Sequence, residues 1–453
     1  MELQGKKVLV VGLARTGVAL TTFLARAGAR VTVTDQAAAA DLEEMRREIR
    51  DLPVTEELGV PQPRSWQDFD LILLSPGVPP ELPWLNLARE KGIPVWGELE
   101  LAGQFITRPI IAVSGTNGKT TTTTLVGRFL EASGLRPLVG GNIGTPLISL
   151  LSRQQEADYL VLEVSSFQLD TGPHFHPRAA ALLNITPDHL DRYADFAAYI
   201  ASKAGLFRCM GPEDLKVLNA DDPLVRSLGQ GPGRVYYFST KESFPEGAWV
   251  KDGAVQIRLS SGWEGNFPLS RILLPGRHNL ENIMAALLLA LDAGAHPEAC
   301  QEVLAQFRGL PHRLEWVAKV REVDFYDDSK GTNVGAVACS LAHFHRPLIL
   351  IAGGRDKDSD FSLLSTLIRE RVKALVLLGE TREHLARVWE GLAPAYLVAD
   401  LAEAVNRALK LAEPGEVVLL SPACASFDMF RDYAHRGETF QRLVREVADG
   451  PQN

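Results

Sequence analysis

Ser114-Gly115-Thr116-Asn117-Gly118-Lys119-Thr120-Thr121 stands between an apolar run, Ile110–Val113, and a helical stretch that reaches Leu130. A phosphate group needs glycines, so that backbone N–H groups can approach its oxygens. It also needs a helix N-terminus, which carries a partial positive charge. Lys119 is placed to reach β- and γ-phosphates, and the Thr120 hydroxyl to meet Mg²⁺. The full Walker pattern puts Gly where this chain has Val113, so the motif is a shortened variant. The competing reading is a polar strand–helix turn with an incidental lysine. The strand before the turn and the helix after it favour a nucleotide.

Outward from this turn, strand and helix patterns alternate over most of the 453 residues. The first ~97 residues show strands at Val8–Val11, Val31–Thr34 and Leu71–Leu74, with a helix over Val18–Ala27. Repeated strand–helix units imply a parallel sheet covered by helices. Ala37–Ala40 reads as a helix start. A second unit runs from near Glu98, with further strands at Tyr159–Val164, Ala179–Asn184 and Lys216–Asn219. Between about Arg234 and Pro275 short alternating segments with Gly turns predict antiparallel hairpins, and Asn282–Ala293 is a long apolar helix. A third unit starts near Leu310, with strands at Leu348–Ala352, Ala374–Leu378 and Val417–Leu420. The expected fold is α/β in three domains, 1–97, 98–309 and 310–453. The first and last are Rossmann-like, and the central one is a P-loop-type ATPase with added antiparallel strands.

Other polar clusters fall at strand ends or helix starts. Gly12-Leu13-Ala14-Arg15-Thr16-Gly17 follows the first strand, and Asp35 ends the second at about the spacing of a ribose-binding acid. Ala14 breaks the dinucleotide pattern, so a nucleotide-like ligand competes with a helix-packing turn. Glu163 ends an apolar strand, where a carboxylate beside a phosphate loop can hold Mg²⁺; a solvated strand-end acid is the competing reading. Asn184–Arg192 follows another buried strand and contains His189; taken alone, that residue reads as a loop histidine. Lys203 lies in a helical stretch, where a solvated lysine is the default. His278–Asn282 opens the long apolar helix, with an N-cap as the alternative. Asp327–Asn333 and Gly353–Lys357 each follow a strand and open a helix. Each is either an anion site or a polar loop.

A net charge of −9 argues against a nucleic-acid or anionic-membrane binder. Cys209, Cys300, Cys339 and Cys424 are too scattered for zinc spacing, and read as reduced, buried thiols of a cytosolic protein. The apolar run after Lys6 and Lys7 is too short for a signal peptide. No stretch approaches the ~18–20 apolar residues of a membrane span.

Taken together, the Gly115–Thr121 loop, Asn184–Arg192, His278–Asn282, Pro311-His312-Arg313 and Asp328-Ser329-Lys330 resemble the Mur ligase family over essentially the whole chain. Gly140-Gly141-Asn142-Ile143-Gly144, Glu163–Leu169, Gly353–Lys357 and Leu420–Phe430, with Gly437, Glu438 and Phe440, resemble its D-glutamate-adding branch. No DNPR-type stretch of the diaminopimelate- and lysine-adding branches is present.

The resemblance implies a monomeric cytoplasmic ligase that joins D-glutamate to UDP-N-acetylmuramoyl-L-alanine using ATP and two Mg²⁺ ions, without nucleic acid or membrane insertion. It implies that Leu13, Arg15, Thr16, Asp35, Ser75, Gly77 and Asn142 serve the UDP substrate. ATP would be held by Gly115, Thr116, Asn117, Gly118, Lys119, Thr120, Thr121, Asn279, Asn282, Arg313 and Asp328. Thr120, Glu163, His189 and an N-carboxylated Lys203 would bind metal, with Lys119, His189 and Lys203 serving catalysis. Lys330, Thr332, Lys357, Ser426, Phe427 and Tyr433 would surround D-glutamate. Tyr433 departs from the phenylalanine often found there.

Three rival readings have discriminators. A folylpolyglutamate-type ligase would lack the first domain and the Leu420–Phe430 stretch. An NAD-dependent dehydrogenase leaves Gly115–Thr121 idle and would transfer hydride. A nucleotide-binding scaffold needs no combination of Glu163, His189 and Lys203.

Overall fold

The computed structural model describes residues 1–189, 192–274, 276–356 and 358–449. They form two compact units, one of residues 1–185 and 197–307, the other of residues 186–196 and 308–453. Lys357 lies outside the described residues.

The first unit contains two sheets. The five-stranded one is wholly parallel, in the order Val54–Leu58, Arg30–Asp35, Lys7–Val11, Leu71–Leu74, Val95–Gly97. Lys7–Val11 is central, with all but its first residue buried, as its unbroken apolar run requires of a strand covered on both faces. Strand order reverses across it, which opens a crevice at its C-terminal edge. Ala37–Ala40 is not a helix start: Ala37 N–H is held by the Asp35 carboxylate at 2.9 Å, and the helix begins at Glu43.

The second sheet has nine strands. Pro137–Gly141, Tyr159–Glu163, Ile110–Ser114, Ala179–Leu182, Leu215–Asn219 and Arg234–Ser239 run parallel. Gly247–Lys251 joins them, also parallel, and only Ala254–Arg258 and Glu264–Pro268 extend the sheet antiparallel. The expected hairpin region is thus narrower than its turn signals suggest, because Arg234–Ser239 pairs with the strand before it. Helix Arg277–Asp292 packs on helix Lys119–Ala132 and buries Ile283 to Ala290 completely. Each such leucine contributes roughly 1.5–3 kcal/mol, which fixes the ends of both helices at the phosphate loop.

The other unit has a six-stranded sheet, ordered Glu315–Val320, Val323–Asp327, Val417–Leu420, Leu348–Gly353, Val372–Leu378, Ala395–Leu397. Its first pair is antiparallel and the rest parallel. Asn333 caps helix Val334–His343 through a 2.8 Å bond from Ala336 N–H. Of the Gly353–Lys357 stretch, the described residues Gly353–Asp356 do not open a helix. Arg355 instead bridges to Ala425, and the next helical turn starts at Phe361. Cys300 and Cys424 are buried thiols, whereas Cys209 and Cys339 are partly exposed. Among the described residues no helix is long and apolar enough to cross a membrane.

Candidate active site

The Ile110–Ser114 strand delivers the chain into the phosphate loop, and helix Lys119–Ala132 begins at Lys119 itself. Gly118 caps the helix at φ 86°, and a Cβ there would collide with Asn282 Oδ1, so both backbone and space require glycine. Asn184 clamps the loop. Its Oδ1 accepts from Asn117 N–H at 2.8 Å, its Nδ2 donates to Asn117 O at 3.1 Å, and its carbonyl accepts from Thr116 N–H at 3.0 Å. Lys119 Nζ donates to the Gly115 and Thr116 carbonyls, each at 2.8 Å. Asn282 is buried against the loop and its Nδ2 donates to Asn279 Oδ1 at 3.3 Å. The N-cap of that helix is Gly276, without a side-chain capping bond, so the capping alternative for His278–Asn282 does not hold.

Two titratable groups lie deep beside this loop. Glu163, paired in register with Val113, is only 2 % exposed. Its Oε1 accepts from Asn142 Nδ2 at 2.7 Å, while its Oε2 is buried with no hydrogen-bond partner among the described residues. Neither it nor Lys203 is solvated. Lys203 is equally buried, donates to Gly115 O at 2.9 Å, and lies 4.7 Å from the centre of the Tyr199 ring. The Tyr199 hydroxyl in turn is 3.2 Å from Thr116 Oγ1. His189, another expected metal ligand, belongs to the second unit. There Asp188 accepts from His189 N–H and from Asn333 Nδ2, both at 3.0 Å.

At the C-terminal edge of the first sheet lies a cleft of about 460 Å³. Arg15, Thr16, Asp35, Ser75, Gly77 and Asn142 all line it. Leu13 is buried, and its N–H donates to Asp35 Oδ2 at 2.7 Å. With Ala37 N–H on the other oxygen, the Asp35 carboxylate shapes the turn itself. Ser75 Oγ donates to Gly12 O at 2.6 Å and ties the turn to the neighbouring strand.

In the second unit Asp328 is fully buried and receives Ser340 Oγ and Ser421 Oγ, each at 2.6 Å. Burial pushes its carboxyl up to about 6, against the two hydroxyls and the Arg313 charge, which favour its anion. Lys330 Nζ lies 3.6 Å from the Tyr433 ring centre, so two expected D-glutamate residues meet. Thr332 follows in the same loop, its N–H donating to Lys330 O. Ser426 is buried and Phe427 is 63 % exposed.

With this geometry in view, the comparisons are specific. Residues 6–97 match the Mur ligase MurD-like N-terminal domain, 113–290 the Mur ligase middle domain, and 312–424 the Mur ligase glutamate ligase domain. The chain is 46 % identical to the UDP-N-acetylmuramoylalanine–D-glutamate ligase of Geotalea daltonii, covering 99 % of each chain. It is also 46 % identical to the enzyme of that name from Desulfosudis oleivorans, covering 99 % of this chain and 98 % of that one. The chain belongs to the Mur ligase family. Its fold resembles that of a pseudomurein peptide ligase type C from Methanothermus fervidus, with TM-score 0.61 and 19 % identity over 98 % and 100 % of the two chains. It also resembles the UDP-N-acetylmuramate–alanine ligase of Thermotoga maritima, with TM-score 0.59 and 19 % identity over 97 % and 99 %.

Sequence reasoning missed several residues that hold this Mur ligase's loops in place. Arg436 is 2 % exposed; its guanidinium donates to Ser329 Oγ at 3.0 Å, Ser329 O at 2.8 Å and Cys424 O at 3.2 Å. One cation thus ties the loop after Asp328 to the loop before Ser426. Burial lowers its pKa to about 10, which leaves it charged at neutral pH. The available signal was its place on the buried stripe of its helix, in step with Phe440 and Val444. His312 Nδ1 lies 2.7 Å from Asp327 Oδ2, a pairing that raises the imidazole pKa. His312, Glu315 and Asp327 converge closely enough for a cation, but Gln441 Nε2 donates to both carboxylates at 2.9 Å and already satisfies them.

Proposed function

We infer that this Mur ligase is a cytoplasmic, monomeric enzyme that uses ATP to add D-glutamate to UDP-N-acetylmuramoyl-L-alanine in peptidoglycan precursor synthesis. The identity of 46 % along nearly the whole length of enzymes so named carries the reading. The geometry supports it: a phosphate loop beside a buried carboxylate oxygen that has no partner among the described residues is what a nucleotide with its cation requires. The modules are proposed as 1–97 for the UDP substrate, 98–309 for ATP and Mg²⁺, and 310–453 for the amino acid.

In this scheme the loop amides of Gly115–Thr121 hold the triphosphate, and Lys119 exchanges two loop carbonyls for phosphate oxygens. Thr120, Glu163, His189 and Lys203 are the proposed metal ligands, for two ions. When bound, Mg²⁺ supplies charge neutralisation at the phosphoryl oxygens. Asn279 and Asn282, on the adjoining helix, are proposed to serve the nucleotide, with Arg313 and Asp328. The substrate carboxylate attacks the γ-phosphorus and ADP departs, leaving an acyl phosphate. The free amine of D-glutamate then attacks the acyl carbon, phosphate leaves carrying the amine's lost proton, and an amide remains. The chain's part is positioning and electrostatic stabilisation. Lys330, Thr332, Lys357, Ser426, Phe427 and Tyr433 are proposed to hold D-glutamate. Groups matched to its side-chain carboxylate would stay unpaired with a neutral or cationic amino acid. An ADP-release assay with UDP-N-acetylmuramoyl-L-alanine and an amino-acid panel tests this. D-Glutamate should turn over, and equal use of L-lysine or meso-diaminopimelate would refute the assignment.

Lys203 is proposed to act as its carbamate. A free ammonium is repelled by Mg²⁺, whereas a carbamate offers the oxygen ligand that the ion prefers. Lys203→Ala should lose most activity and regain part of it when acetate replaces the missing anion. Full activity without acetate would remove the role.

A further inference from the structure

Asn142 belongs to two places at once. It lines the cleft above the first sheet, together with Gly12, Arg15 and Ser75. Its side-chain amide also donates to Glu163 Oε1 at 2.7 Å, and its backbone N–H donates to Glu163 O at 2.9 Å. The residue before it, Gly141, has φ 98°, and a Cβ there would collide with Glu163 O. Only glycine lets the loop lie this close to the acid. From the side of the first sheet, Arg15 Nη1 donates to Gly144 O at 3.3 Å. Asn142 therefore lines the cleft and brackets Glu163 at the same time.

The bracket makes the two oxygens of the carboxylate unequal. Asn142 occupies Oε1, and Oε2 is buried with no partner among the described residues. A carboxamide has two N–H donors, so one remains for an acceptor in the cleft. We propose that Asn142 is a positioning residue that couples ligand binding in the cleft to divalent-cation binding at Glu163. An acceptor on the cleft ligand, of carboxylate or carbonyl class, holds the second N–H and stiffens the carboxamide. That fixes Glu163 with Oε2 turned toward the cation. By linkage the cation then strengthens cleft binding by the same factor. The inference rests on Glu163 as a cation ligand and the cleft as the UDP-substrate site, and it deepens that reading.

The test measures Mn²⁺ binding by electron paramagnetic resonance to the full chain with β,γ-methylene-ATP, with and without UDP-N-acetylmuramoyl-L-alanine. In the wild type the UDP substrate should tighten Mn²⁺ binding about 5-fold. Asn142→Ala should weaken Mn²⁺ binding about tenfold, the usual effect of removing a group that orients a metal ligand, and abolish the response to the UDP substrate. Asn142→Ser, which keeps a small polar side chain, should lose the same response. Wild-type Mn²⁺ affinity indifferent to the UDP substrate, or a response that survives in both variants, would overturn the coupling. Glu163→Gln separates the two possible failures. If Mn²⁺ binding ignores that change, the cation assignment itself falls; if it weakens while the wild type shows no response, only the coupling falls.

Discussion

Two strand–turn–helix segments of the first unit begin alike and are furnished differently. Lys7–Val11 leads through Gly12 into helix Arg15–Arg26, and Ile110–Ser114 leads through Gly115 into helix Lys119–Ala132. Each strand lies between two parallel neighbours, so each turn presents backbone donors at the carboxyl edge. The early turn opens on a cleft walled by Pro61, Pro63, Val78 and Trp84, and the acid beside it, Asp35, is spent on the Leu13 and Ala37 amides. The later turn is crowded by Lys119, Lys203 and Asn282, with Glu163 on the neighbouring strand. The backbone arrangement offers an anion a place in both. The side chains around it decide whether that place holds a ligand or performs a reaction on one.

That contrast breaks most visibly at Lys119. Lys119→Ala should cost at least ~10²-fold in kcat, the scale of losing a central charge-stabilising donor, with the melting temperature nearly unchanged. Near-normal turnover would place the two turns in one class. Asp35→Ala should act on binding alone. KM for the UDP substrate should rise roughly tenfold as the Leu13 turn loosens, with kcat held within about twofold, the signature of a contact shared equally by ground and transition states. A fall in kcat of the Lys119 size would erase the distinction.

The smallest effect concerns Glu98, which follows the last strand of the first sheet. Its carboxyl accepts Ile148 N–H at 3.0 Å and Gln168 Nε2 at 3.4 Å, joining the two sheets' surroundings. Burial pushes it up to about 7 from an ordinary 4.5. Because the folded value is the higher one, its stabilising contribution is complete below about pH 4.5 and is lost as pH rises through about 7. Wild-type melting temperature should therefore fall relative to Glu98→Gln over that window. Parallel curves for the two proteins would remove the burial account.

The core strands were legible because buried parallel strands are unbroken apolar runs: Leu71–Leu74 appears as expected, and Ile110 opens its strand as expected. The phosphate loop was legible because its chemistry is local. What pairs with what was not. Arg234–Ser239 joins the parallel set through a register that local alternation does not encode. Gly353–Lys357 looks like a helix start until Ala425 pairs with Arg355 from far along the chain. Asn184, expected to end the Ala179–Asn184 strand, lies beyond the observed strand, which stops at Leu182, and makes both of its loop-clamping side-chain bonds to a residue distant in sequence.

Arg436 has a consequence for the order in which the second unit can be finished. Ser329 and Cys424 lie far apart along the chain, and both precede the arginine that joins them. During synthesis on a ribosome the sheet strands through Val417–Leu420 emerge first. Until the Tyr433–Asp449 helix arrives and docks, these loop carbonyls lack their cationic donor. The tie between the two loops can therefore form only when that helix docks.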